Sequence, residues 1–202
     1  MKLGVIDYGA GNLRSVLNTF EAAGVHGHLV RTPEDAEAVT HLVLPGVGAF
    51  GDCAEKLRRQ GLDLFIREWI GADRPFLGIC VGYQVLFDSG EEDEQVPGLG
   101  IFRGRVVRFP ESELKVPHMG WNRVTLGNPG DPVWQGMGDE PYFYFVHSYY
   151  PRPEDASLVA ATCSYGEEFA AAIRQGNLVA TQFHPEKSQK LGVQLLRNFA
   201  AL

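Results

Sequence analysis

Residues 74–87 read Arg-Pro-Phe-Leu-Gly-Ile-Cys-Val-Gly-Tyr-Gln-Val-Leu-Phe, with one cysteine framed by two glycines. The apolar run before Cys80 is typical of a buried strand, and the residues after it have helical spacing. Cys80 therefore lies on a predicted strand-to-helix turn. Gly78 and Gly82 fit this interpretation, because a tight turn that projects its central side chain leaves no room for a Cβ on either flank. The N-terminus of the predicted helix would favour the thiolate, which is the nucleophilic form.

A second short pattern, His184-Pro185-Glu186, follows a strand-like run over residues 178–183. His184 thus falls at a strand end, where catalytic groups of α/β sheets collect. A proline favours an extended backbone at the residue before it, and residues i and i+2 of an extended chain project to the same side. The pattern predicts an imidazole oriented by a carboxylate. With Cys80 it forms a candidate nucleophile–base–carboxylate triad.

The loop Pro45-Gly46-Val47-Gly48 follows another predicted strand. It could be an ordinary turn. Its glycines also allow a backbone N–H to point at a developing oxyanion, as acyl transfer requires. Val47 and Gly48, together with the N–H of Val81 behind the nucleophile, are therefore candidate oxyanion-hole residues.

Strands alternate with helices in the first half of the chain, and the second half is richer in strands. The predicted strands are residues 2–7, 25–30, 41–44, 76–79, 101–109, 143–147, 158–164, 170–175 and 178–183. The predicted helices are residues 12–23, 52–59, 62–70, 81–87 and a last one from Ser188 onward. This order predicts an α/β fold with a mixed, mostly parallel central sheet and helices on both faces.

Composition narrows the class of protein. The 202 residues are 45% hydrophobic and contain no linker-like tract, so we expect one domain over residues 1–202. No apolar run is long enough to span a membrane and no signal-peptide core is present, which predicts a cytoplasmic protein. The three cysteines, Cys53, Cys80 and Cys163, lack metal-site spacing, and a net charge of −7 without a basic run disfavours nucleic acid. The acidic run Glu91-Glu92-Asp93-Glu94 is predicted to be a solvated loop.

The combination Gly-x-Cys-x-Gly-x-Gln with a later His-x-Glu resembles the class I, or triad, glutamine amidotransferases. Further segments are similar to one branch of that family, the glutaminase subunits of imidazole glycerol phosphate synthases. These segments are Asp7-Tyr8-Gly9-Ala10-Gly11-Asn12, Leu44-Pro45-Gly46-Val47-Gly48-Ala49-Phe50, Lys115-Val116-Pro117-His118-Met119-Gly120-Trp121-Asn122 and Tyr144-Phe145-Val146-His147-Ser148-Tyr149. The resemblance covers the full length and implies a flavodoxin-like class I amidotransferase fold.

The resemblance also implies a reaction and a partner. Cys80 would form a thioester with glutamine, with His184 and Glu186 as base and orienting carboxylate, and the ammonia would pass to a cyclase subunit in a heterodimer that serves histidine biosynthesis. No cofactor or metal is implied. The implied substrate-binding residues are Gly46, Gln84, His147, Ser148 and Tyr149. The implied partner-facing residues are Asn12, His118, Trp121 and Lys187.

Two other functions remain open on the sequence. The chain could be the glutaminase subunit of a different synthase, such as anthranilate or aminodeoxychorismate synthase, although the Met119-Gly120-Trp121-Asn122 segment argues against this. It could also be a Cys-His-Glu hydrolase that acts alone on peptides or small amides. Turnover without any partner would favour the second alternative.

Overall fold

Twelve β-strands form two sheets in the computed structural model, which describes residues 1–202. The strands are β1 (Leu3–Ile6), β2 (Gly27–Val30), β3 (His41–Gly46), β4 (Phe76–Cys80), β5 (Phe87–Gly90), β6 (Phe102–Arg108), β7 (His118–Leu126), β8 (Tyr142–His147), β9 (Tyr149–Pro153), β10 (Val159–Tyr165), β11 (Glu167–Gln175) and β12 (Leu178–Thr181). The α-helices are α1 (Leu13–Ala22), α2 (Phe50–Arg59), α3 (Leu62–Gly71), α4 (Val81–Gln84) and α5 (Gln189–Phe199).

The main sheet has nine strands in the order β2-β1-β3-β4-β12-β11-β10-β7-β8. The five strands from β2 to β12 are joined by parallel pairs, and the remaining strands are joined by antiparallel pairs. Strands β1, β3, β4 and β12 are buried along their whole length, as expected of parallel strands covered on both faces. The predicted α/β class with a mixed sheet is therefore found, with the parallel part confined to five strands.

The direction of the crossovers places helices on both faces of this sheet. From β1 the chain passes through α1 to β2 on one side, and from β3 it passes through α2 and α3 to β4 on the other side. Because such crossovers are right-handed, these two connections lie on opposite faces. Helix α5 packs on α1, where Phe20 and Phe199 meet edge to face with ring centroids 6.4 Å apart. None of the helices has the length and apolar character needed to cross a bilayer.

A second sheet has three strands in the order β5-β6-β9. Of these, only β6 was predicted from the sequence. The helix predicted to run to Phe87 ends at Gln84, because Phe87 pairs with Phe102 of β6 and begins β5. Strand β9 contains two prolines, which obscure a strand in the sequence but are tolerated here because β9 is an edge strand. Strand β7, interrupted by Gly120, was also missed.

The hydrophobic core is one continuous cluster of 54 buried residues that includes members of both sheets, such as Val5 of β1 and Val106 of β6. This continuity supports the proposal that residues 1–202 are one domain.

At the carboxyl edge of the main sheet the strand ends meet in register. Gly46 of β3 lies opposite Cys80 of β4, and Ile79 lies opposite Thr181 of β12.

Two glycine backbones meet at this edge. A Cβ on Gly82 would lie 2.0 Å from the carbonyl oxygen of Leu44, and a Cβ on Gly46 would lie 2.3 Å from the backbone nitrogen of Gly82. Both distances are far below van der Waals contact. The loop after β3 and the turn after β4 can therefore pack together only without side chains at these positions.

We expect Gly82→Ala to destabilise the chain by about 3 kcal/mol, because a side chain cannot enter this contact without displacing the backbone. The matched control is Gly71→Ala at the end of α3, where an added Cβ meets nothing within 4 Å. Since alanine favours helix over glycine by about 1 kcal/mol, the control should be neutral or slightly stabilising. Urea denaturation measures both. Equal stability of the two variants would contradict the tight packing described for Gly82.

Candidate active site

Cys80 occupies a strained turn between β4 and α4. Its backbone has φ 53° and ψ −110°, a left-handed φ that a non-glycine residue rarely adopts. The strain is held in place by the packing of Gly82 against Leu44. Helix α4 has only four residues, so its dipole supports a thiolate less than the longer predicted helix would have done. The main effect of the turn is therefore to set the direction of the Cys80 thiol.

His184 and Glu186 form a buried pair. The Nδ1 atom of His184 lies 2.8 Å from Oε1 of Glu186, and each side chain is 2% exposed. Residues Pro185–Lys187 form a 3-10 turn, so the carboxylate reaches the ring across this turn and not along the extended chain that the sequence suggested. Because the carboxylate accepts a hydrogen bond from the N–H at Nδ1, the buried Nε2 atom, which has no hydrogen-bond partner, is left to exchange a proton with the thiol.

The position of His184 is fixed from its backbone as well. Its N–H donates to the carbonyl oxygen of Tyr144 at 2.9 Å, and its own carbonyl accepts from the hydroxyl of Ser188 at 2.6 Å. The same hydroxyl accepts from the N–H of Tyr144 at 3.0 Å. Ser188 thus ties the base to strand β8. This role of Ser188 is not visible in the sequence, because nothing in the local pattern relates Ser188 to a strand more than forty residues earlier.

The charge state of His184 follows from its neighbours. Burial favours the neutral ring, but the sulfur of Cys80 and the carboxylate of Glu186 favour the charged ring more strongly and raise the pKa of His184 from 6.5 to about 9. At neutral pH the ring of His184 is therefore charged and can act as the acid that protonates a leaving group.

A cavity of about 360 Å³ opens over Cys80. Its wall includes most of the residues predicted for the site: Val47, Gly48, Cys80, Val81, Gln84, His147, Ser148, Tyr149, His184 and Lys187. Glu186 lies behind the imidazole. The carboxyl ends of β3, β4, β8 and β12 supply these residues, together with the segments that follow them, as expected for a ligand site of an α/β sheet.

Two predicted residues do not fit their expected roles. Gly46, expected to bind substrate, is buried behind the turn and packs on Gly82. His118, expected to face a partner, is 3% exposed and stacks on Tyr165 with ring centroids 4.1 Å apart. Alternation along β7 turns His118 inward and leaves Trp121, 45% exposed, on the outside. Asn12 is half-buried at the start of α1, outside the cavity.

His147 contacts other protein groups through both ring nitrogens. Its Nδ1 lies 2.8 Å from the carbonyl oxygen of Tyr149, and its Nε2 lies 3.0 Å from Nδ1 of His118. Burial lowers the pKa of His147 to about 3 and that of His118 to about 4, so both rings are neutral. The ring of His147 therefore shapes the wall formed by Ser148 and Tyr149 and has no free nitrogen for a ligand.

Two further residues reach the site without having been predicted. Glu92, expected in a solvated loop, lines the cavity while its carboxylate accepts from the N–H of Phe50 at 2.7 Å. Gln182, fully buried, lies with Nε2 3.7 Å from the sulfur of Cys80. The register of β4 and β12 brings it there. No cluster of three or more His, Cys, Asp and Glu side chains is arranged to hold a metal ion.

The chain is similar to known proteins over nearly its whole length. The family model described as glutamine amidotransferase class-I matches residues 4–201. An imidazole glycerol phosphate synthase subunit HisH of Rhodopirellula baltica is 49% identical over 197 residues, which cover 97% of this chain and 95% of that protein. The protein of the same name from Geobacter sulfurreducens is 47% identical and covers 100% of this chain and 99% of its own length.

Solved structures support the fold. A crystal structure of a glutamine amidotransferase matches with a TM-score of 0.77 and 21% identity, and covers 98% of this chain and 97% of that one. The PurLQS structure from Thermotoga maritima matches with a TM-score of 0.79 and 17% identity, and covers 99% and 97%. At these identities the likeness confirms the predicted fold and nothing finer.

The pKa of His184 provides a test of the buried triad. We expect Cys80→Ala to lower it most, since the sulfur contributes more to the raised value than Glu186 does, and Glu186→Gln to lower it less. Because the folded pKa exceeds the ordinary 6.5, the stability from the charged ring should be complete below that pH and vanish as pH rises through about 9. NMR titration of the His184 ring measures the shifts. A pKa unchanged in Cys80→Ala would contradict a sulfur neighbour.

Proposed function

This chain belongs to the glutamine amidotransferase class-I family, and from that premise we propose that it is the glutaminase subunit of an imidazole glycerol phosphate synthase. The observation that carries the proposal is the buried pair of His184 and Glu186 next to Cys80, at the floor of an amino-acid-sized cavity. Relatives that bear this subunit name match nearly the whole chain at close to half identity.

The geometry supports a two-step hydrolysis of glutamine. The thiolate of Cys80 attacks the side-chain amide carbon, and the imidazolium of His184 gives its proton to the departing nitrogen, which leaves as ammonia. Water then adds to the thioester with His184 as base, and glutamate and the thiolate are released. Glu186 keeps the ring in the tautomer that both proton transfers need.

The oxyanion formed in each step needs backbone donors. The N–H of Val81 opens helix α4 and has no acceptor within the helix, as at any helix start. Val47 and Gly48, which also line the cavity, can supply a second N–H. Gly48 has φ 92°, a conformation that suits glycine and allows the peptide between these residues to turn. A donor of this kind contributes on the order of 3 kcal/mol to the transition state.

The two ends of the amino acid find complementary groups in the cavity wall. The carboxylate of Glu92 is suited to the α-ammonium group, and the peptide groups of Ser148 and Tyr149 are suited to the α-carboxylate. Gln84 already donates to the carbonyl oxygen of Tyr149 at 3.0 Å, so we assign to it the positioning of this wall.

Ammonia released here must reach its acceptor without becoming protonated in bulk water. The outer face of strands β7 and β8 beside the cavity is apolar and exposed: Met119 is 63% and Trp121 is 45% exposed, and Trp121 meets Tyr144 edge to face. Lys187 lies over the ring of Tyr144 at 5.8 Å and also lines the cavity. We assign this face to the cyclase subunit, which would close the imidazole ring in histidine biosynthesis in the cytoplasm. Such a face favours this assignment over a hydrolase that acts alone.

We expect Cys80→Ala to lower glutamine-dependent synthesis by about a thousand-fold or more, because no other group can form the thioester. The variant in complex with the cyclase should retain synthesis from added ammonium salts, since the cyclase itself is unchanged. Measuring imidazole product from each nitrogen source separates the two activities. Near-normal glutamine turnover by the variant would show that Cys80 is not the nucleophile.

We expect Trp121→Ala to weaken association with the cyclase by about 2 kcal/mol, because exposed aromatic anchors carry much of the binding energy of an interface. The matched control is Leu64→Ala on α3, which removes an apolar side chain that is also exposed, to 64%, and lies away from the cavity. Calorimetric titration against the cyclase gives both affinities. Equal affinities for Trp121→Ala and the control would contradict an interface that includes Trp121 of β7.

A further inference from the structure

The fully buried side chain of Gln182 contacts the nucleophile directly. Strands β4 and β12 are parallel neighbours with Ile79 opposite Thr181, so the residues that follow these two positions lie side by side. These residues are Cys80 and Gln182, and the Nε2 atom of Gln182 lies 3.7 Å from the sulfur. The backbone N–H of Gln182 donates to Ala171 at 2.8 Å, which anchors the residue to strand β11.

The orientation of the Gln182 amide is set by a carbonyl group two hydrogen bonds away. The carbonyl oxygen of Tyr149 can only accept, so Gln84 must direct its NH2 group toward it, at 3.0 Å. The same NH2 group donates to Oε1 of Gln182 at 3.1 Å. The oxygen of Gln182 therefore faces Gln84, and its NH2 group faces the sulfur.

The carbonyl oxygen of Tyr149 is itself held by a second chain of hydrogen bonds. His147 donates to it from Nδ1, and His118 donates from Nδ1 to Nε2 of His147 at 3.0 Å. Asn122 reaches Nε2 of His118 from Nδ2 at 3.2 Å. Because both rings are neutral, each has one donor and one acceptor, and all bonds run in the same direction. The carbonyl oxygen that orients Gln84 and, through it, Gln182 is thus held by a continuous hydrogen-bond network.

We propose that Gln182 is a catalytic residue whose side-chain N–H donates to the sulfur of Cys80, stabilises the thiolate over the thiol, and holds it for attack. An ionised sulfur accepts a hydrogen bond more strongly than a neutral one, so the donor favours the charged form. In the thioester the sulfur is neutral and the bond weakens; it strengthens again when the thiolate leaves. This inference rests on the proposed role of Cys80 as nucleophile.

A purely structural glutamine would affect folding but not the ionisation of Cys80, so the pH dependence of alkylation separates the two roles. The experiment uses the full chain with iodoacetamide, and peptide mapping identifies alkylated Cys80. We expect Gln182→Leu to move the midpoint of the alkylation profile up by about one pH unit, and so to slow alkylation about tenfold at pH values below both midpoints. Gln182→Met, unbranched and of similar length, should behave in the same way.

The matched control is Asn198→Leu. Asn198 is a buried amide that donates to the carbonyl oxygens of Val133 and Gln135 at 3.0 and 2.8 Å, on helix α5. Its loss should lower the melting temperature and leave the alkylation profile of Cys80 unchanged. A normal profile in a folded Gln182→Leu or Gln182→Met variant would overturn the proposal.

A second measurement needs no variant at position 182. In the unsubstituted chain the side-chain NH2 protons of Gln182 should shift with pH at the same midpoint as alkylation, and this shift should be absent in Cys80→Ala. Protons that do not follow the ionisation of Cys80 would exclude the hydrogen bond. Both measurements report the ionisation of Cys80 and do not depend on turnover. They therefore test the hydrogen bond even if the chain does not hydrolyse glutamine.

Discussion

The contact between the backbones of Gly46 and Gly82 is the constraint on which the site depends. It brings the loop after β3 against the turn after β4 at a distance that excludes any side chain. Two consequences follow from this one contact. Cys80 is held in a left-handed conformation that aims its thiol into the cavity, and Val47 and Gly48 are placed in the wall of the same cavity. Strain at the nucleophile is maintained by packing elsewhere in the core.

Three histidines near the cavity show how environment divides one residue type into two roles. His184 is charged, because the Cys80 sulfur and the Glu186 carboxylate outweigh burial. His118 and His147 are buried without a carboxylate and are neutral. The charged ring can move a proton, whereas the neutral rings can only direct hydrogen bonds. A proton-transfer site and a rigid wall of one cavity are thus built from the same type of side chain.

The cavity is shaped by both halves of the sheet. Its parallel half supplies the nucleophile and the base at strand ends, and its antiparallel half supplies the wall through Ser148 and Tyr149. The outward residues of β7 and β8, with Trp121 opposite Tyr144, extend that wall to the exposed face. The inward residues of β7 hold it from behind through His118. One strand therefore joins the proposed partner surface to the support of the glutamine pocket.

The sequence by itself determined the features that local spacing encodes. The glycine frame of Cys80, the His184-Pro185-Glu186 pattern and the alternation of strands and helices were sufficient for the fold class and the family, both of which were confirmed. The roles of Gln182, Glu92 and Ser188 and the inward position of His118 were decided only by the tertiary structure. Each depends on which strands become neighbours and in what register, so contacts such as that between Cys80 and Gln182, 102 residues apart, leave no local signal. A residue's neighbours along the chain set its backbone preference, but its neighbours in space set its chemistry.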